Sequence, residues 1–393
     1  MSPLTEDVLA RCEPALREAV TSGASESRVA ARIREIAGED FFGLVVATAQ
    51  LQRKAVAKFG EGLWWATDRA LQQASARLVA DVKAQWFGRE HVQDLCCGVG
   101  GDALAFAARG EVTGVDQDLG LIAMARENAR LNSPATSGHR FICANVESLT
   151  LDASSEVHID PDRRDGTQRK TRPEDYSPDW EFVADLLRRC QGVLVKLAPA
   201  AELRDHPDHL RVWTSLSGSV REQSLATGTV AARARELHAI HADSTRAAVV
   251  INNQAVATFD SGDHDHRCEC TDRPGEFMVD PDAAIRAAGL TSAFAHHFGL
   301  RSIGEPSGFL TGDSANVEAL ATCERVLWHG SCDDRKLRRT LRELNAFPKR
   351  VKTRAVSHDA NQLERRYRTC GERPMSLWIG RVGKRNYAAL TAS

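Results

Sequence analysis

From Leu4 to about Phe87 the apolar residues recur at three- and four-residue intervals: Phe42, Val45, Val46, Ala49, Leu51, Val56 and Phe59 in one stretch, and Leu71, Leu78, Val82 and Trp86 in another. That period places them on one helical face, so the segment is predicted to be helical. Thr67 or Asp68, each with a short oxygen-bearing side chain, is suited to cap the free amides of the last of these helices. Near Val92 the pattern changes. Short apolar runs at Val92–Leu95, Val112–Val115, Arg140–Ala144, Val157–Asp160, Val193–Lys196 and Val212–Leu216 alternate with helical stretches as far as about Gly218. Alternation of this kind predicts an α/β, mostly parallel sheet. Thr245 to Phe259 is β-rich with a turn at Asn252–Asn253, and from about Pro274 helices and strands mix. The expected organisation is an N-terminal helical domain over 1–90, an α/β domain over 91–262 and a C-terminal α+β domain over 263–393.

Composition narrows the classes. With 393 residues, 42% hydrophobic and 26% charged, the chain can build several cores, and disorder as the main state is excluded. Fifty-one basic against 53 acidic side chains leave a net charge of −2, so any nucleic-acid surface must be local. One region answers that description: Arg335 to Arg368 holds twelve Lys or Arg and three Asp or Glu. Clusters such as Arg335-Lys336-Leu337-Arg338-Arg339 and Lys349-Arg350-Val351-Lys352-Thr353-Arg354 suit phosphate contacts, and an ordinary solvated basic face would account for the same residues. No apolar run reaches the ~18–20 residues a membrane helix needs. Met1 to Val20 lacks the basic flank and apolar core of a secretory signal, so a cytoplasmic location is expected. The ten cysteines read as reduced thiols. His264, His266, Cys268 and Cys270 crowd four metal-ligand types into seven residues, but one-residue gaps are shorter than zinc spacing allows. A polar loop without metal is expected there.

The chemistry concentrates in the α/β region. Val92-Gln93-Asp94-Leu95-Cys96-Cys97-Gly98-Val99-Gly100-Gly101-Asp102 sets a strand end and a glycine-rich turn before a helical stretch. Glycines let a turn run close under a ligand, and the helix start offers free amides. Gly98, Gly100 and Ala103 also satisfy the dinucleotide pattern, which leaves NAD open. Asp94, just before the turn, disfavours a pyrophosphate and suits an ammonium group. Asp116, at the second strand end and eighteen residues beyond Gly98, can accept both hydroxyls of a ribose. Acids on the first two strand ends fit S-adenosylmethionine better than NAD.

Asp94 to Asp102, Gly114-Val115-Asp116-Gln117-Asp118 and the helix containing Glu127-Asn128-Ala129 resemble the first two motifs of class I S-adenosylmethionine-dependent methyltransferases. Arg53-Lys54, Lys58-Phe59, Asp94-Leu95-Cys96-Cys97-Gly98, Asp160-Pro161-Asp162-Arg163-Arg164, Pro173-Glu174-Asp175-Tyr176, Phe277 to Leu290 and Pro374-Met375-Ser376-Leu377 resemble a bacterial methyltransferase family with a C-terminal THUMP-like domain, related to the trimethylguanosine synthases. The resemblance implies a Rossmann-like methyltransferase core over 91–262 and a THUMP-like domain over 263–393. It further implies that Asp94, Cys96, Gly98 and Gly100 surround the methionine moiety, that Asp116 binds the ribose, and that Asn145 and Val146 meet the adenine.

Asp160-Pro161-Asp162-Arg163 stands where base-amine methyltransferases carry Asp or Asn, two prolines and an aromatic residue. An exocyclic amine is a weak nucleophile because its lone pair is conjugated with the ring. The Asp160 carboxylate and the Pro161 carbonyl would hold its hydrogens and aim the lone pair. Asp162 replaces the second proline and Arg163 the aromatic ring, so Tyr176 or Trp180 would have to swing in to stack a base. Arg163 is then a phosphate or carboxylate clamp or a solvated loop residue, and Lys196 faces substrate phosphate or solvent. The expected activity is methyl transfer to RNA, most simply to an exocyclic base amine, with Asp160, Pro161 and Arg163 as its catalytic set. The alternatives are a non-catalytic RNA-binding protein that keeps the cofactor pocket, and an NAD-dependent dehydrogenase, which lacks an evident hydride-transfer acid or base.

Overall fold

A computed structural model of the protein describes residues 3–392 other than 23–26, 134–137, 163, 166–167, 170–171, 254, 263–266, 305–307, 314–315 and 318. The chain divides into two compact units, Met1–Leu216 with Arg221–Ala239, and Ser217–Val220 with Ile240–Ser393. The first holds α1 (Glu6–Ser22), α2 (Ser27–Phe59), α3 (Asp68–Gln73), α4 (Arg77–Ala84), β1 (Val92–Leu95), α5 (Gly101–Ala107), β2 (Val112–Asp116), α6 (Leu119–Asn132), β3 (His139–Cys143), β4 (Glu156–Ile159), α7 (Trp180–Arg189), β5 (Gly192–Leu197), β6 (Leu210–Leu216), β7 (Ser219–Thr227) and α8 (Gly228–His238). These strands lie in the order β6-β7-β5-β4-β1-β2-β3. Neighbours from β5 through β3 pair in parallel, and β7 pairs antiparallel with β5. Because β1 lies between β2 and β4, the winding direction reverses at its carboxyl end. A crevice opens at such a switch point.

The helical segment is not a separate body. Val99, Ala123 and Met124, from the glycine turn and α6, share one apolar cluster with Leu9, Leu16, Ile33, Val45, Phe59 and Trp65. Buried Asn128 on α6 accepts from the Trp65 amide at 2.7 Å and donates to the Trp65 and Val99 carbonyls at 2.9 and 3.1 Å. The apolar faces of α1 and α2 find their partners on α6, so the 1–90 segment belongs to the same unit as the sheet. Thr67 caps α3 through Ala70 N–H, and the single helix expected to follow is broken into α3 and α4. Strand β7 escapes the hydrophobic pattern because Glu222, Gln223 and Ser224 are polar, yet all three are buried.

The second unit starts with an antiparallel hairpin, β8 (Arg246–Asn252) and β9 (Ala255–Asp260), turning at Asn253 in the left-handed region, φ 46°. It continues with β10 (Cys270–Thr271), β11 (Phe277–Pro281), α9 (Ala283–Ala287), α10 (Thr291–His297), β12 (Arg301–Ile303), β13 (Leu310–Gly312), β14 (Ala321–Ser331), α11 (Asp334–Glu343), β15 (Ala346–Thr353), α12 (Ala360–Tyr367), β16 (Arg373–Val382) and β17 (Arg385–Ala392). Its eight-stranded sheet runs β10-β12-β13-β11-β14-β17-β16-β15. Consecutive residues of β16 serve opposite faces: Leu377 packs with Leu337, Leu341, Leu363 and Tyr367 of α11 and α12, and Trp378 packs with Met278, Phe309 and Tyr387. Among the described residues no helix is long and apolar enough to cross a membrane.

Candidate active site

A cavity of about 1030 Å³ opens at the switch point of the first unit. That is at the upper end of the ~300–1,000 Å³ typical of one small-molecule site, so it has room for two ligands. Asp94, Cys96, Gly98, Asp116, Asn145, Val146, Asp160 and Pro161 all face it. The turn after β1 is shaped by left-handed backbone at Cys96, Gly98 and Gly100, φ 59°, 56° and 87°. A Cβ on Gly98 would meet nothing within 4 Å, so the bare backbone borders open space. Gly100 departs from expectation. It is off the cavity wall, and its Cβ position faces Ala125 and Phe141, so its task is the left-handed entry into α5.

The two acids differ in environment. Asp94 is 1% exposed; His158 Nδ1 lies 2.6 Å from its Oδ1, while Oδ2 is buried with no hydrogen-bond partner among the described residues. Burial pushes the Asp94 carboxyl above its ordinary range, with His158 opposing. An orphaned carboxylate oxygen in a buried pocket is a vacancy for a cationic donor. Asp116 accepts the Gly98 N–H through Oδ2 and the Asp118 N–H through Oδ1, both at 3.0 Å. Burial raises its pKa, and these backbone hydrogen bonds oppose the rise. Asn145 caps the short helical turn at Val146–Ser148 through Glu147 N–H, so its side-chain oxygen is already engaged.

At the end of β4, Asp160 Oδ2 accepts from Lys196 Nζ at 2.6 Å, and Lys196 also donates to the Gln73 carbonyl at 3.1 Å. Lys196 is 3% exposed, so it faces neither solvent nor substrate phosphate; it holds Asp160. Asp160 Oδ1 has no partner among the described residues. Asp162 accepts from Arg69 at 2.8 Å and from Gln73 Nε2 at 3.0 Å, both on α3, and exchanges backbone hydrogen bonds with Ser177. Arg163 lies outside the described residues. Tyr176 cannot swing in: it is 4% exposed in the core beside β5, where Trp180 also packs. The aromatic side chain on the described cavity wall is instead Phe41 of α2. Beneath the wall, Lys83 Nζ sits 2.7 Å from Asp102 and 3.0 Å from Glu222.

Sequence reasoning missed His158, Lys83 and the contribution of Leu4, α2 and α3 to the wall, and it gave Lys196 to substrate phosphate or solvent where the structure gives it to Asp160. A lysine inside the otherwise apolar run Val193–Leu197 was the available signal. His264, Asp265 and His266 lie outside the described residues, and the described residues hold no group of three or more His, Cys, Asp or Glu placed to share a metal ion.

This sheet order, with paired acids and a glycine turn at the switch point, defines a nucleoside-binding methyltransferase fold. A family model described as a methyltransferase domain matches residues 92–159. Across 366 residues the chain is 31% identical to a protein named as an uncharacterized S-adenosylmethionine-dependent methyltransferase in two strains of Mycobacterium tuberculosis, CDC 1551 / Oshkosh and ATCC 25618 / H37Rv. The match covers 88% of this chain and 95% of that protein. The crystal structure of a candidate methyltransferase from Porphyromonas gingivalis W83 shares the fold, with a TM-score of 0.76 over 100% of both chains at 15% identity. The chain belongs to the class I S-adenosylmethionine-dependent methyltransferases. Its cofactor is S-adenosylmethionine, and the unpartnered Asp94 oxygen fits that molecule's ammonium group. The dehydrogenase alternative falls away.

Proposed function

We propose that this methyltransferase acts on RNA, at an exocyclic amine of a base, and that residues 263–393 within its second unit form a THUMP-like RNA-binding module. The observation that carries the reading is Asp160: one oxygen fixed by Lys196, the other open on the cavity that Asp94 and Asp116 share. Asp94 Oδ2 takes the cofactor ammonium, Asp116 the ribose hydroxyls, and Asn145 and Val146 border the adenine. When bound, the cofactor supplies an electrophilic methyl group on a sulfonium. Asp160 Oδ1 and the Pro161 carbonyl accept the hydrogens of the amine and aim its lone pair, and the displaced proton has the open Asp160 oxygen as its first acceptor. Lys196 keeps that carboxylate from rotating, which is where most of the orientational gain resides. Arg163 remains part of the proposed catalytic set. RNA is favoured as the partner because Arg335, Lys336, Arg339 and Arg342 on α11, Lys349 and Arg350 on β15, and Arg365, Arg366 and Arg368 at α12 are exposed on elements that pack together.

The test is transfer from labelled methyl donor to fractionated RNA by the wild type and by Asp160→Ala. Label in RNA with the wild type alone supports the reading. Equal labelling removes Asp160 from the catalytic set, and label only in protein or small molecules overturns the RNA substrate.

A further inference from the structure

The second unit contains a charge cluster that its described carboxylates do not balance. Asp280, at the end of β11, accepts from Arg286 of α9 at 2.6 Å, from Lys352 of β15 at 3.0 Å and from Arg354 at 3.0 Å. One carboxylate thus faces three cations that are only 29%, 16% and 28% exposed. The remaining acids nearby are committed elsewhere. Asp282 caps α9 through Ala284 N–H, and Glu324 accepts from Ser376, Trp378 and Thr391 while pairing at 3.7 Å with a fourth cation, Arg350. Even with every one of these carboxylates counted, positive charge is left over. Arg354 Nε is a buried donor with no partner among the described residues. Burial holds Arg286 and Lys352 below their ordinary pKa ranges despite Asp280, as expected of desolvated cations lacking enough counter-charge.

We infer that Arg286, Lys352 and Arg354, gathered on Asp280, form a binding site for a phosphate group. Two guanidinium forks and an ammonium gathered on the Asp280 carboxylate keep further donors that can each take an oxygen of a tetrahedral anion, where a carboxylate would offer only two. Trp378 lies under Lys352 at 4.6 Å and Phe309 under Arg354 at 5.6 Å, so the ring faces hold the cations in position before any anion arrives. The phosphate belongs either to a free phosphate compound or to an RNA backbone, and the second form rests on the RNA reading proposed above.

Asp280 separates this idea from a purely structural network. Removing one cation leaves Asp280 two partners, so Lys352→Gln and Arg354→Gln should fold. Asp280→Asn leaves three cations and should strengthen anion binding. The probes are pyrophosphate, read by thermal shift of the full chain, and a single-stranded RNA oligonucleotide, read by fluorescence anisotropy across a salt series. Pyrophosphate should raise the wild-type melting temperature, each Gln variant should lose most of that rise, and Asp280→Asn should keep or enlarge it. RNA should bind each Gln variant about fivefold to tenfold more weakly, with the salt slope shallower by about 0.7 per lost cation. Cofactor affinity by calorimetry should not change. A pyrophosphate shift that is missing from the wild type, or equal in wild type and both Gln variants, overturns the site. RNA bound equally by all variants overturns the RNA form of the site and leaves the RNA reading standing. A variant-sensitive pyrophosphate shift with no RNA binding by any protein supports the site for free phosphate compounds and refutes the RNA reading. If Asp280→Asn does not fold, the Gln pair decides alone.

Discussion

Replacing Lys83 by Met tests whether the first unit depends on one buried cation. Lys83 on α4 is 1% exposed at its side chain, and its partners Asp102 and Glu222 are 8% and 2% exposed. Ser75 adds a hydroxyl 3.1 Å from Nζ. Burial opposes ionisation of Asp102, but the Lys83 ammonium holds its carboxyl well below the usual range. Methionine fills the same volume and leaves two carboxylates in a dry site without a counter-charge. Breaking a buried pair in this way costs ~3–5 kcal/mol. At ~2–4 °C per kcal/mol for a domain of 150–250 residues, the first unit should melt about 6–20 °C lower. The sign with pH follows. In the wild type, Asp102 contributes stability above the unfolded carboxylate pKa and loses it as pH falls through its depressed folded value. In Lys83→Met the orphaned carboxylates are raised instead, so their penalty is greatest at neutral pH and shrinks towards pH 5. Calorimetric melting at pH 7.5 and pH 5 measures both. A loss under ~1 kcal/mol, or a gap between variant and wild type that widens in acid, would refute the reasoning. Lys83→Met/Asp102→Asn/Glu222→Gln should recover much of the loss.

Asp94→Asn should weaken S-adenosylmethionine binding about 10- to 100-fold, the value of a hydrogen bond to a charged group at ~1.5–3 kcal/mol; isothermal calorimetry checks it, and an unchanged affinity would separate Asp94 from the ammonium. Arg69→Met breaks a pair whose partners are 59% and 39% exposed, so the stability loss should stay below ~1 kcal/mol in urea denaturation. Burial, with Lys196 and Arg221 adding to it, pushes the Lys58 ammonium down to about 8. The unfolded chain then binds more protons than the folded one above that value, so stability from this group rises between about pH 8 and the ordinary lysine pKa of ~10.4. Lys58→Met should flatten that rise, and identical slopes in wild type and variant would refute it.

The parts of the fold legible in the sequence are those where hydrophobic period and burial coincide. Strand β5 announces itself because both faces of a parallel sheet are covered and Gly192–Leu197 is apolar but for Lys196, whereas β1, β2, β4 and β6 mix polar residues into buried runs and only Phe141 of edge strand β3 is buried. The glycine turn and Asp94, Asp116 and Asp160 follow from their places at strand ends. What stays hidden is what depends on charge compensation between distant segments. Strand β7 looks like a loop until Lys83, some 140 residues earlier in the chain, is seen to neutralise Glu222. Lys196 looks like a solvated strand-end lysine until Asp160 and the Gln73 carbonyl are placed on either side of its ammonium. The 1–90 helices look like a separate domain because their period is self-consistent, and only Asn128 bridging Trp65 and Val99 reveals that they complete the cofactor unit. A lone charge in sequence reads as surface, so buried ion pairs erase the hydrophobic signal of the elements that carry them. In the first unit three such carboxylates fall around the cavity: Asp94, Asp102 and Asp160 all line it, and each is held from behind by a buried histidine or lysine. Preorganised charge of that kind is what a cationic cofactor requires and what a hydrophobic pattern cannot display.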